Sequence, residues 1–165
     1  MEATPSQTVG PFFSFGLCVR ETHRLVADDA PGAVRVHGCV LDGADEPVPD
    51  AVVELWQPDA DGGHPAGFGW GRCGTGPDGE YAFTTVRPGA KHGAPHLTLL
   101  VFARGLLKPV LTRMYFPGEP ANADDPVLAG LPEEERGTLV GEPDGAAVRF
   151  DVRLQGDRQT VFFAL

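Results

Sequence analysis

The sequence predicts an all-β sandwich. Short apolar runs recur with a period of two, the 22 glycines and 16 prolines fall between those runs, and almost no stretch carries a helical period. The length of 165 residues suits one domain, 1–165, with a sizeable core, and a hydrophobic content of 42% belongs to a folded chain rather than a disordered one.

Residues 1–16 form an arm that is polar at first and then rich in Gly, Pro and Phe (TPSQTVGPFFSFG). No strand or helix period fits it. Phe12, Phe13 and Phe15 would lie in water unless they pack on something, so the arm is expected to be tied down, on its own domain or on a neighbouring chain. Residues 20–33 read as a polar connection. The first strand is 34–41 (VRVHGCVL), with Val34, Val36, Gly38 and Val40 on one face and Arg35, His37, Cys39 and Leu41 on the other. A turn-rich segment, DGADEPVPD, leads to a second strand at 51–57 (AVVELWQ), where Trp56 is expected to anchor the core.

From 58 to 76 the chain reads as one long glycine-rich loop. A Pro-Asp-Gly turn then opens the strand 80–85 (EYAFTT), with Tyr81 and Phe83 sharing a face. The next strand lies in GAPHLTLLVFARG (93–105), a run that begins in a loop and ends on Arg104 and Gly105. LTRMYF (111–116) is a further strand, 117–131 an acidic proline-rich loop, and 132–140 one short helix with its glutamates near the positive end of the dipole. The clearest alternation of all is 147–154 (AVRFDVRL), and 160–165 (TVFFAL) closes the chain as a last strand.

Composition excludes several functions. A net charge of −10 argues against nucleic acid or an anionic membrane as partner, since both need clustered Lys and Arg. No run approaches the ~20 apolar residues that span a bilayer. MEATPSQTVG lacks the basic and apolar regions of a signal peptide, so a cytoplasmic location is expected. Cys18, Cys39 and Cys73 form no CxxC and read as free thiols packed as small apolar residues.

The chemistry-bearing residues are few. There is no GxSxG, no HExxH and no phosphate loop between a strand and a helix. The five histidines do not cluster, and for His96 alone a hydrogen-bonded role at a strand start outweighs ligation. Glu54, if inward-facing, must be paired, and a structural salt bridge outweighs a catalytic acid. Arg104, at a strand end, is placed to fork onto a carboxylate, with a plain surface or interface salt bridge as the alternative.

Taken in series, TPSQTVGPFF, PVPDAVVELWQPDADG, FGWGRCGTGPDGEYAFTTVRPGA, APHLTLLVFARG, TRMYFPGE and RFDVRLQGDRQTVFFAL resemble the intradiol ring-cleaving dioxygenases over nearly the whole chain. Within that family they are similar to the subunit that does not bear iron. The resemblance implies a β-sandwich with long loops and at most one or two short helices. It also implies a hetero-oligomer with an iron-bearing partner subunit, whose ferric ion is held by two tyrosines and two histidines and binds a catecholic substrate that reacts with O₂.

Carried over position by position, the first histidine ligand falls at His96. The second falls at Thr98 and one tyrosine at Lys91. The other tyrosine belongs between Gln57 and Phe68, where none occurs, so the resemblance implies a vestigial metal site at Lys91, His96 and Thr98 that binds no iron. It further implies that Thr8, Gly10, Pro11 and Arg104 approach the partner's substrate pocket, with the arm 1–16 at the subunit interface. Two other readings are a catalytic homo-oligomer, which needs ligands this sequence lacks, and a non-catalytic β-sandwich binding module, which leaves SQTVGPFF and FARG unexplained.

Overall fold

The computed structural model describes residues 3–10, 12–18, 22–90 and 93–165. In chain order its strands are β1 (Ala33–Leu41), β2 (Val52–Trp56), β3 (Trp70–Gly74), β4 (Glu80–Val86), β5 (His96–Phe102), β6 (Val110–Tyr115), β7 (Glu142–Asp144), β8 (Ala147–Arg149) and β9 (Val152–Arg153). One sheet has the order β4-β1-β8-β7, with β9 continuing alongside β1, and the other has the order β3-β2-β5-β6. β8 and β9 run parallel to β1, and the remaining pairs are antiparallel.

Period-two alternation places the core. Val36 and Val40 of β1, Tyr81 and Phe83 of β4, and Val148, Phe150 and Val152 face Val53 and Leu55 of β2, Leu97, Leu99 and Val101 of β5, and Met114 of β6. A second, smaller core joins Ala94, Tyr115, Leu128 and Leu139 beneath the connections after β6. No helix among the described residues is long and apolar enough to cross a membrane.

Several sequence expectations change here. The stretch 58–76 is not one loop, because β3 lies inside it, paired with β2 through five residues. Its glycine content hid it, and one of those glycines has a packing reason: a Cβ on Gly71 would lie 2.6 Å from Leu25 Cδ1 and 2.7 Å from the Thr22 carbonyl. Trp56 is no core anchor. It is 48% exposed and tilts against Trp70 on the outer face of its sheet, because Val53 and Leu55 are the inward residues of β2.

The run 147–154 keeps its predicted faces but breaks into β8 and β9, because the Asp151 carboxylate accepts the Cys39 backbone N–H at 3.0 Å where a ladder carbonyl would. TVFFAL is not a regular strand. It holds one bridge, Leu111 to Phe163, and is otherwise fixed by side chains: Val161 N–H donates to Thr138 Oγ1 and Val161 C=O accepts from Thr112 Oγ1.

The loop 117–131 contains a 3₁₀ turn (Pro120–Asp124) and helix α2 (Pro126–Ala129). With α1 (Phe13–Leu17) and α3 (Glu133–Gly137), the short helical segments exceed the one or two expected. The helix expected over 132–140 is α3, with Pro132 at its N-cap and three glutamates in its first turn.

The two halves of the β8–β9 break meet the sheet at Gly38. A Cβ there would sit 1.8 Å from the Phe150 carbonyl oxygen, which also accepts the Tyr81 hydroxyl at 2.6 Å. Gly38→Ala therefore forces two backbones apart inside the core. Its urea midpoint should fall by an amount equivalent to about 3 kcal/mol with little change in slope, and an unchanged midpoint would contradict this packing.

Candidate functional site

Strand β5 presents two candidate sites, one at each end. His96, Thr98, Leu100 and Phe102 share its outer face, while Leu97, Leu99 and Val101 are wholly buried between the sheets. Arg104 stands eight positions after His96, about 26 Å in an extended chain at ~3.3 Å per residue. The two belong to different sites.

At the first end, His96 lines a cleft of about 280 Å³ with Pro58, Gly62, His64, Gly89, Ala90, Ala94 and Pro95. Its Nδ1 lies 2.9 Å from the Ala94 carbonyl. A carbonyl only accepts, so Nδ1 carries the proton and Nε2 keeps the lone pair. Burial pushes the imidazole pKa below its ordinary value; the Ala94 carbonyl counteracts this, and the Arg113 guanidinium adds to it. Arg113 stands directly opposite Thr98 in the β5–β6 register, and Tyr115 opposite His96. The ring of Tyr115 lies 5.2 Å from that of His96.

The neighbours of His96 are committed elsewhere. The Tyr115 hydroxyl donates to Asp125 Oδ1 at 3.1 Å. Asp125 also accepts the N–H groups of Ala94, Val127 and Leu128, and so caps α2 while fastening the start of β5. Burial raises the Asp125 pKa, but these hydrogen bonds outweigh burial and hold it below the ordinary carboxylate range. Burial pushes the Tyr115 phenol up, which keeps it a neutral donor.

The residues present do not fit a ferric ion. Thr98 offers only a hydroxyl, a guanidinium is its cross-strand neighbour, and among the described residues no three histidine, cysteine or carboxylate side chains converge. Lys91 lies outside the described residues. Arg113 was missed in the sequence because LTRMYF reveals its alternation but not the strand it faces. Asp125 had a readable signal, an Asp-Pro step opening a helix.

At the other end, Arg104 and the arm come together. The Gly105 N–H donates to Thr8 Oγ1 at 2.8 Å. Gly105 has φ +89°, a conformation that favours glycine. The Arg104 side chain is 55% exposed and its Nε lies 2.6 Å from Asp50 Oδ2. Gly10 is exposed and accepts the Phe13 N–H; Pro11 lies outside the described residues. Beyond it, Phe12 and Phe15 are 76% and 77% exposed, and the carbonyl of Leu17 accepts from Arg72 Nη1 at 3.1 Å. The arm is thus tied to its own domain at Thr8 and, just past its end, at Leu17, and presents two phenylalanines between these points.

Glu54 is the structural pair expected: its Oε1 accepts from Arg72 Nε at 2.9 Å and from Nη2 at 2.5 Å, and Arg72 also lies over the Trp70 ring. The three cysteines are free but only partly buried, and burial pushes each thiol upward.

Comparison with known proteins adds to this geometry. A family model described as Dioxygenase matches residues 9–156. The chain is 42% identical to the protocatechuate 3,4-dioxygenase alpha chain of Burkholderia cepacia, covering 99% of this chain and 98% of that one. To the beta chain of the same organism's enzyme it is 32% identical, over 73% of this chain and 63% of that one. Among solved structures it is similar to the dioxygenase domain of a dioxygenase–carbohydrate-binding fusion from Streptomyces sp. SirexAA-E. The TM-score is 0.68 and the identity 28%, covering 94% of this chain and 99% of that one.

The lowered His96 pKa has a testable sign. Between the folded value and the ordinary 6.5 the unfolded chain binds a proton there that the folded chain does not. Stability from this site is therefore present above pH 6.5 and lost as pH falls through the folded value. His96→Gln should flatten thermal stability between about pH 7 and 5; a variant curve parallel to wild type would contradict the assignment.

Proposed function

Because the chain belongs to the intradiol dioxygenase family, we propose that it is the alpha subunit of a protocatechuate 3,4-dioxygenase, cleaving 3,4-dihydroxybenzoate with O₂ to 3-carboxy-cis,cis-muconate in bacterial aromatic catabolism. The observation that carries this reading is the joining of Thr8 to Gly105 beside an exposed Arg104. In this reading 1–165 is one domain, cytoplasmic, and the arm 1–16 packs at the interface with a beta subunit. Phe12 and Phe15, left in water on this chain, supply the apolar contact.

The reaction's ferric ion is held by the beta subunit and supplies the activation of the bound catechol toward O₂. This chain's share is binding and orientation. Arg104 meets the substrate carboxylate, directly or through water, while Thr8, Gly10 and Pro11 wall the pocket. Placing a positive, fork-shaped donor group there turns the ring so that its two hydroxyls face away from the carboxylate clamp. The vestigial positions Lys91, His96 and Thr98 take no part.

A binding-module reading leaves the tie between arm and strand end without a purpose, and a catalytic homo-oligomer lacks its ligand set. The test is the assembled enzyme, formed with a beta subunit. Arg104→Ala should raise KM for 3,4-dihydroxybenzoate by about tenfold or more, the equivalent of ~1.4 kcal/mol. Unchanged KM and kcat would refute the role.

A further inference from the structure

We propose that Asp50 is the positioning residue for Arg104, and that it thereby sets the preference for a carboxylated catechol over an uncharged one. This rests on the reading that Arg104 faces substrate in the assembled enzyme. The nearest contact of the ion pair with Asp50 is made by Nε, 2.6 Å from Oδ2. Among the described residues, neither Nη1 nor Nη2 donates a hydrogen bond that would occupy the end of the guanidinium. The end-on fork of the guanidinium is therefore free, and that edge matches the two oxygens of a planar carboxylate.

Asp50 is itself held firmly. Thr75 Oγ1 accepts the N–H groups of Asp50 at 3.1 Å and Ala51 at 2.9 Å, and donates to the Val48 carbonyl at 2.8 Å. Ala51 is wholly buried. Asp50 has φ 151°, unusual for a residue with a Cβ, which such a corner sustains only because its surroundings impose it. The aspartate is thus a fixed post, and the long, exposed arginine leans on it. One residue after Arg104, the Gly105 N–H is held by Thr8 Oγ1. An arginine left free would lose rotamer freedom on meeting a ligand; here much of that loss precedes binding.

Asp50 also screens the net charge of Arg104, so recognition depends on the direction of the fork more than on bulk potential. An uncharged catechol, with nothing to place in the fork, should not sense Asp50.

The test uses the assembled two-chain enzyme and two substrates, 3,4-dihydroxybenzoate and catechol, with Asp50→Asn, Asp50→Glu and Arg104→Ala. Asp50→Asn should raise KM for 3,4-dihydroxybenzoate about five- to tenfold with little change in kcat, leave both constants for catechol unchanged, and be partly rescued in Asp50→Glu. An unchanged or lowered KM for 3,4-dihydroxybenzoate in Asp50→Asn overturns the proposal, and so does an equal loss on both substrates, which marks a merely structural role. If Arg104→Ala raises KM while Asp50→Asn does not, only the positioning role fails; if neither does, the reading of Arg104 itself fails.

Discussion

Burial of Leu97, Leu99 and Val101 between the two sheets is the constraint on which the rest depends. These three side chains lock β5 in register between β2 and β6. Once that register is set, His96 and Thr98 are fixed on the outer face opposite Tyr115 and Arg113, and Arg104 emerges where the strand runs out. Core packing has no slack for sliding by one residue, since a slip would carry three leucine- and valine-sized side chains into the outer face. The same apolar strand therefore carries two ends of different character without either disturbing the other.

At the His96 end the surrounding groups have been taken over by structural work. A histidine donates to a nearby carbonyl, a tyrosine donates to an aspartate, and that aspartate caps a helix. A guanidinium stands across from Thr98. Each feature alone is ordinary. Together they place a single neutral imidazole beside a permanent cation, an arrangement that repels a metal ion rather than holding it. At the Arg104 end the polar groups are instead exposed and only partly committed, as a surface that awaits a partner requires.

Most of the fold was legible because period-two alternation survives wherever one face is buried, as in VRVHGCVL and EYAFTT. It failed where pairing, not propensity, makes the strand: WGRCG is a strand because β2 lies beside it. It failed again where a side chain substitutes for a ladder carbonyl, as Asp151 does in AVRFDVRL. Trp56 was misplaced because AVVELWQ is apolar on both faces, so period alone does not say which face is inward. Of the candidate sites, His96, Thr98 and Arg104 were readable as positions. Asp125 carried a local signal in its Asp-Pro step, whereas the partners Arg113 and Asp50 depend on register and on corner geometry that no local pattern encodes.

The central claim is that this chain shapes a substrate pocket without holding iron of its own. Iron content and visible absorption of the chain purified alone, then purified as a complex with a beta subunit, test it most directly. The account predicts no stoichiometric iron and no tyrosinate-to-iron band in the isolated chain, and one iron per pair of chains with that band in the complex. One iron per chain in the isolated protein would contradict it.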